Sequence, residues 1–173
     1  MIKELTEQDV PHVVRLAASS GIFKPFEIQC VKELLDAYRQ HGEASGYAFL
    51  IYMEGSNVLG FACFGPHPLT DGTFELYWIA VDAGARRRGI ARALLLRVEE
   101  QVCCQGGRLI LVETSGTPAY TPARRLYESC DYRYQAVIHD FYAVGDDLIV
   151  FGKVLQQENV VLPVGIIPIS SPT

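Results

Sequence analysis

No stretch of this 173-residue sequence is apolar for long enough to cross a bilayer. The longest, VVLPVGIIPI at 160–169, falls short of the roughly 20 residues that a spanning helix needs, and it holds two prolines. No membrane role is expected. The opening MIKELTEQDV is polar and acidic and lacks the apolar centre of a secretory signal, which points to the cytoplasm. Positive charge is scarce: 15 Lys and Arg stand against 20 Asp and Glu, for a net charge of −5 and a pI near 5.3. Nucleic-acid binders are ordinarily basic, so no nucleic-acid partner is expected. The five cysteines (Cys30, Cys63, Cys103, Cys104, Cys130) are odd in number, two are adjacent, and none forms C-x-x-C. That excludes a disulfide framework and a zinc knuckle and predicts buried or half-buried free thiols in a reducing compartment. His12, His41, His67 and His139 include no i,i+4 pair, so no metal site is expected. Internal repeats and low-complexity blocks are absent as well.

With 49% apolar and 20% charged residues, the chain has enough hydrophobic side chain for one substantial core. Residues 2–5 read as a short strand. Thr6 then opens a helix through a capping box with Asp9. Ile28, Val31, Leu34, Leu35 and Tyr38 form the stripe of an amphipathic helix over 27–40. YAFLIYM (47–53) and VLGFACFG (58–65) read as a hairpin, and FELYWIAV (74–81), apolar but for one acid, as a strand buried on both faces. A helix over 89–103, ended by Gly106-Gly107, leads into the strand LILVET (109–114). Thr121 as N-cap with Pro122 behind it marks a short helix, and YQAVIHDFY (134–142) with LIVFGKVL (148–155) closes the chain as a second hairpin. The order is mixed α/β with one parallel crossover, from 74–81 through 89–103 to 109–114. Residues 1–155 are expected as the domain and 156–173 as an apolar, proline-containing tail. The site is expected at the C-terminal end of the crossover strand, where the chain turns into the helix.

That turn is the informative segment, VDAGARRRGIARALLLRVEE (81–100). A strand runs into a glycine-containing bend and a helix start, where unpaired N–H groups and the helix dipole favour an anion. Gly89 lets a ligand approach the main chain, and Ala91 keeps the next exposed position small. Arg86, Arg87, Arg88, Arg92 and Arg97 lie between 86 and 97 with no acid among them, a cationic spot on an acidic protein. Gly84 and Gly89 have the spacing of a triphosphate loop, but Ile90-Ala91 stand where Lys-Ser/Thr would be needed, and G-x-G-x-x-G is absent.

RRRGIA (86–91) resembles the R/Q-x-x-G-x-G/A turn of the GNAT acyltransferases. The strands FELYWIAV and LILVETS, the helix ARRLYESCDY (123–132) and the closing hairpin follow in that family's order. The resemblance covers roughly residues 1–155. It implies a GNAT-like fold: a mixed, mostly antiparallel sheet of about seven strands with a parallel splayed pair, flanked by about four helices. It also implies acetyl-CoA as co-substrate, no metal, and an amine acceptor, with a homodimer left open. The diphosphate would lie on the amides of Arg87, Arg88, Gly89, Ile90, Ala91 and Arg92, beside Arg86. The pantetheine arm would pair with the strand edge at Ile79, Ala80 and Val81. Two departures stand out: Tyr120 occupies a pantetheine-contact position that is often Asn, and Asp131 follows the Leu-Tyr-Glu motif where the family has Gly.

Acetyl transfer to an amine whose pKa is near ~10 requires a base, because at neutral pH the nitrogen is protonated. Glu75, the one charged side chain in 73–81, is the candidate, matching a strand acid that some family members use. Tyr127 is the candidate acid for the leaving thiolate, since a phenol stays protonated at neutral pH. His67, Tyr77, Asp140 and Tyr142, with the neighbouring Asp146 and Asp147, are candidates for the acceptor pocket. DFYAVGDD (140–147) is similar to a hairpin of a bacterial GNAT subgroup. The function expected is an acetyl-CoA-dependent N-acetyltransferase acting on a small molecule, amino acid or peptide. The alternative is a GNAT-like module that binds acyl-CoA or a protein without turnover. A hydrolase built on Cys103 or Cys104 is a distant third, for want of a nearby base.

Overall fold

In the computed structural model, residues 1–155 are described; the tail expected at 156–173 lies outside the described residues. The strands are β1 (Ile2–Glu4), β2 (Ala48–Glu54), β3 (Asn57–Pro66), β4 (Thr73–Val81), β5 (Leu109–Ser115), β6 (Arg133–Ala143) and β7 (Asp146–Val154). Helices α1 (Val10–Ser19) and α2 (Pro25–His41) precede β2, α3 (Ile90–Cys104) joins β4 to β5, and α4 (Thr121–Ser129) joins β5 to β6. One seven-stranded sheet results, in the order β1-β2-β3-β4-β5-β7-β6. Only β4 and β5 run parallel; every other neighbouring pair is antiparallel. The mixed sheet, the four helices and the single crossover agree with the sequence reading.

Two cores form, one on each face. On α3 the buried side chains are Ile90, Leu94, Leu95, Val98 and Val102, a stripe at the 3.6-residue period. They pack on Phe64, Phe74, Leu76, Ile110, Val112 and Phe151. Each large side chain buried this way contributes on the order of 1.5–3 kcal/mol. Gly60 makes the close approach of α3 feasible: a Cβ there would stand 3.0 Å from Ile90 and 3.1 Å from the Ala80 carbonyl. The other face packs Val13, Leu16, Ala17, Val31 and Leu35 of α1 and α2 against Phe49, Ile51, Phe61 and Ala80. These two helices cover the β1–β4 half of the sheet.

The feature that makes the site is a parting of the sheet. β4 and β5 pair only from Thr73↔Leu109 to Leu76↔Val112, although both strands continue. The cause lies one strand away, where Cys63 pairs Trp78 and Phe64 pairs Leu76, leaving Tyr77 as an extra residue on β4. Such a bulge bends its strand and sharpens the local twist. Residues 77–81 therefore stay on β3 and leave β5.

Several local expectations change. The 74–81 run is not buried on both faces: Glu75 and residues 77–79 are half-buried, because the parted sheet leaves that stretch uncovered. Thr6 opens a short 3-10 turn, Glu7–Asp9, before α1 begins. There Asp9 accepts from the Thr6 amide at 2.9 Å and from Lys3 Nζ at 2.7 Å, and the Thr6 hydroxyl donates to the same carboxylate. Thr121 is inside α4, not its N-cap; that position is Tyr120, and the Thr121 hydroxyl accepts from Arg124. All five cysteines are free, but only Cys63 and Cys130 are buried; Cys30, Cys103 and Cys104 are exposed, so the expectation of covered thiols fails for three. Asp131, standing where the family has Gly, takes the left-handed conformation with φ 67°, which an Asp tolerates.

Candidate active site

The bend after β4 begins with Asp82, whose carboxylate accepts from the Gly84 amide at 2.9 Å and ties off that turn. Arg87 and Gly89 both have left-handed φ, 61° and 77°, and alternate with right-handed or extended neighbours. Alternation of this kind turns successive N–H groups into a concave anion nest. Gly89 caps α3 without any side-chain hydrogen bond, and the amides of residues 89–92 have no acceptor among the described residues. A Cβ on Gly89 would meet nothing within 4 Å, so the space above the turn is open.

The arginines divide their work. Arg86 reaches the buried Ser20 carbonyl and anchors the bend to the α1–α2 connection. Arg88 pairs with Glu54 at 2.7 Å, both side chains being substantially exposed. Arg92 makes one long contact, 3.5 Å, to the Ser129 carbonyl. Arg87 has no partner among the described residues. The amides, more than the guanidinium groups, are thus free for an anion.

Between the parted strands, the edge of residues 77–81 that faces β5 has no neighbour, so its polar backbone groups are open to a strand-like ligand. Ile79, Ala80 and Val81 lie on this edge. Glu75 sits just before the parting, beside Leu111 of β5. Burial pushes its carboxyl above the usual range, Glu113 pushes in the same direction, and His67 opposes them. Among the described residues Glu75 has no hydrogen bond or ion pair. His67 lies in the β3–β4 loop, its Nδ1 3.0 Å from the Pro68 carbonyl oxygen.

Tyr127 is buried on α4 among Tyr132 and Phe151, with ring centroids 6.0 and 5.6 Å away. Its hydroxyl has no partner among the described residues, and burial alone raises its pKa, so the phenol is held neutral. Tyr77 and Tyr142 are also raised to about 12, by burial first and then by nearby carboxylates. Tyr120 points toward α2 and donates to Glu27 at 3.3 Å. It too is pushed up to about 12 by burial and Glu27.

The acid-rich hairpin serves two ends. Asp140, with φ 52°, accepts from the Gly145 amide at 2.6 Å, and Asp147 accepts from the Asp140 amide at 2.9 Å and contacts His139 at 3.0 Å. Those two acids brace the turn. Asp146 instead turns inward: it is 8% exposed and accepts from Ser115 at 2.5 Å. Glu27, Glu113 and Asp146 thus join Glu75, Tyr77, Tyr120 and Tyr142 on one face of the parted sheet. Sequence reasoning gave no role to Glu27 or Glu113, which look like ordinary helix and strand carboxylates until the fold gathers them. No group of three or more His, Cys, Asp or Glu suited to a metal occurs among the described residues. No helix there is long and apolar enough to cross a membrane.

A mixed sheet parted at its one parallel pair, with an anion nest at the end of the parted strand, has the architecture of an acyltransferase domain. The chain belongs to the GNAT acetyltransferase family, whose sequence model matches residues 13–132. A solved GNAT-family structure from Desulfovibrio desulfuricans is 40% identical, with a TM-score of 0.87 over 90% of this chain and 99% of that one. The ribosomal-protein-S18-alanine N-acetyltransferase of Escherichia coli is similar in fold, with 20% identity and a TM-score of 0.75 over 94% and 97% of the two chains. An acetyltransferase of Salmonella typhimurium, solved with acetyl-CoA, shares 18% identity and a TM-score of 0.71 over 90% and 94%. Comparison with the curated proteins returns no match.

Proposed function

We propose that this protein transfers the acetyl group of acetyl-CoA to a primary amine of a small molecule, amino acid or peptide, by direct attack within one ternary complex. The observation that carries the reading is the row of untaken amides at 89–92, standing at the end of a strand whose edge is open. A diphosphate needs convergent N–H donors and partial positive charge, and the α3 N-terminus offers both. The open edge of 77–81 suits the amides of a pantetheine arm, and the coenzyme bound to the Salmonella relative supports the same choice. Tyr120, committed to Glu27, is positioned to brace α2 more than to touch that arm.

Bound there, acetyl-CoA supplies an acyl group on a thiol leaving group. The chain's own residues do the rest. Glu75, whose carboxyl burial pushes above the usual range, takes the proton that frees the amine nitrogen and passes it to solvent, directly or through water. An N–H of the free edge near Val81 faces the carbonyl oxygen where negative charge develops. As the C–N bond forms and the C–S bond breaks, Tyr127 gives its unshared proton to the sulfur and recovers one from the attacking nitrogen by way of solvent. In balance, an ammonium and a thioester become an amide, a thiol and one released proton.

Free-thiol release with acetyl-CoA across a panel of primary amines tests the reaction. Turnover of at least one amine is expected. Tight coenzyme binding with silence across the panel would replace the enzyme by a non-catalytic acyl-CoA-binding module.

A further inference from the structure

Acidic side chains line one face of the parted sheet at regular intervals. In β5, Leu111, Glu113 and Ser115 share a face, and Leu111 lies beside Glu75. At the level of Ser115 the chain places Asp146, one oxygen of which is held by the Ser115 hydroxyl. The other, Oδ2, has no hydrogen bond among the described residues, although the residue is 8% exposed. The one cation within 4.0 Å of it among the described residues is Lys24, whose half-exposed ammonium stops at that distance, beyond hydrogen-bond reach. A nearly buried carboxylate with an open oxygen, approached by the protein's own alkylammonium, is a receptor for an ammonium group. Glu27 and the Tyr120 hydroxyl stand next to it.

From these contacts we propose that the acceptor is a dication: a primary amine carrying a second ammonium group several atoms away, such as a diamine or polyamine. This rests on the acetyltransferase reading above and names the substrate class of that same site. The reacting nitrogen sits at Glu75, and the distal ammonium displaces Lys24 from Asp146 Oδ2, with Glu113 between them. Four residues of strand separate the levels of Glu75 and Ser115, roughly 13 Å along the sheet. Allowing about 3 Å for a hydrogen bond at each end leaves ~7 Å between the two nitrogens. That is the reach of an extended 1,5-diaminopentane. An acceptor bearing a carboxylate at that distance would meet Asp146 and Glu113 with like charge and be rejected.

The test compares 1,5-diaminopentane, pentylamine and 5-aminopentanoate as acceptors for the full chain with acetyl-CoA. The diamine should exceed pentylamine in kcat/KM by roughly tenfold to a hundredfold, the worth of one charge-assisted contact. The aminopentanoate should be the poorest, and the diamine's advantage should shrink as salt rises. Asp146→Asn should collapse the diamine-to-monoamine ratio. Should that variant fail to fold, Glu113→Gln, at an exposed position, should lower the same ratio. Pentylamine or aminopentanoate turned over as well as the diamine would overturn the dication while leaving acetyl transfer intact. Absence of turnover with all three overturns the dication, and a calorimetric titration with acetyl-CoA then shows whether the coenzyme site has failed with it.

Discussion

In the mechanism proposed above the chemistry turns on Glu75 and Tyr127, and the two roles set opposite demands. The Glu75 carboxyl is raised by burial and by Glu113, so it must lose its proton before it can serve as base. The acidic limb of kcat/KM should therefore lie above the usual carboxylate range of about 4.3. Glu113→Gln removes a neighbouring negative charge and should shift that limb to lower pH, whereas His67→Ala should shift it upward; pH–rate profiles of the three proteins decide it. Glu75→Gln should lower kcat by roughly 10²–10⁴, the usual worth of a positioned base. It should also raise Tm at neutral pH, because a carboxyl with a raised folded-state pKa opposes folding when ionised. That gain fades as the pH falls toward the unfolded-state pKa, where glutamate is protonated in both states. Tyr127→Phe should slow turnover with no loss of Tm, since the hydroxyl it removes has no partner among the described residues. A large drop in Tm would mean that the hydroxyl is structural.

At the scale of the element, α3 and the 3-10 turn before α1 begin in contrasting ways. Asp9 closes the start of its turn with Thr6 and Lys3; burial works against ionisation, but these hydrogen bonds prevail and hold its pKa below the ordinary value. Its contribution is present above the unfolded pKa and is lost as pH falls through the folded one. Asp9→Asn should cost about 1–3 kcal/mol at pH 7 and far less in acid, measurable by urea melts at both pH values. The start of α3 has Gly89 as its cap and no side-chain hydrogen bond to its amides. Gly89→Glu should weaken CoA binding far more than Tyr127→Phe, for it sets a negative charge against the diphosphate and strains a φ of 77° by roughly 1–2 kcal/mol. Equal affinities of the two variants in calorimetric titration would move the coenzyme away from this turn. RRRGIA, the strand before it and the helix after it were legible in sequence because local pattern and backbone chemistry coincide there. The start of α4 was read one residue late, since Thr121 serves Arg124 instead of the helix amides.

Across the whole molecule, the sheet is two half-sheets held together along the short β4–β5 pairing and backed by α3. The half formed by β5, β7 and β6 is fastened to α3 by Lys153 and Glu99, 2.7 Å apart and largely covered. The buried Tyr132 hydroxyl lies against the same carboxylate, and burial followed by the Glu99 charge pushes the phenol up, so it stays neutral and Lys153 is the one ion-pair partner of Glu99 among the described residues. Lys153→Ala should cost about 3–5 kcal/mol, seen as a lower urea midpoint, because it strands a carboxylate inside the protein. A wild-type midpoint would show that this fastening carries no stability.

The sequence by itself determined the order of elements, the single crossover, the arginine-flanked glycine turn after β4 and the one acid within the 74–81 strand. All of these are local, written in hydrophobic period, glycine placement and charge within a few neighbouring residues. The tertiary structure decided where the sheet parts, because the Tyr77 bulge depends on register with β3 and leaves no signature in β4 alone. It also decided the company that Glu75 keeps. Glu113 acts on Glu75 directly, and Glu27, Glu113 and Asp146, from a helix, a strand and a hairpin far apart in the chain, meet Glu75 around Tyr142, because electrostatic coupling acts through space, where sequence distance has no meaning.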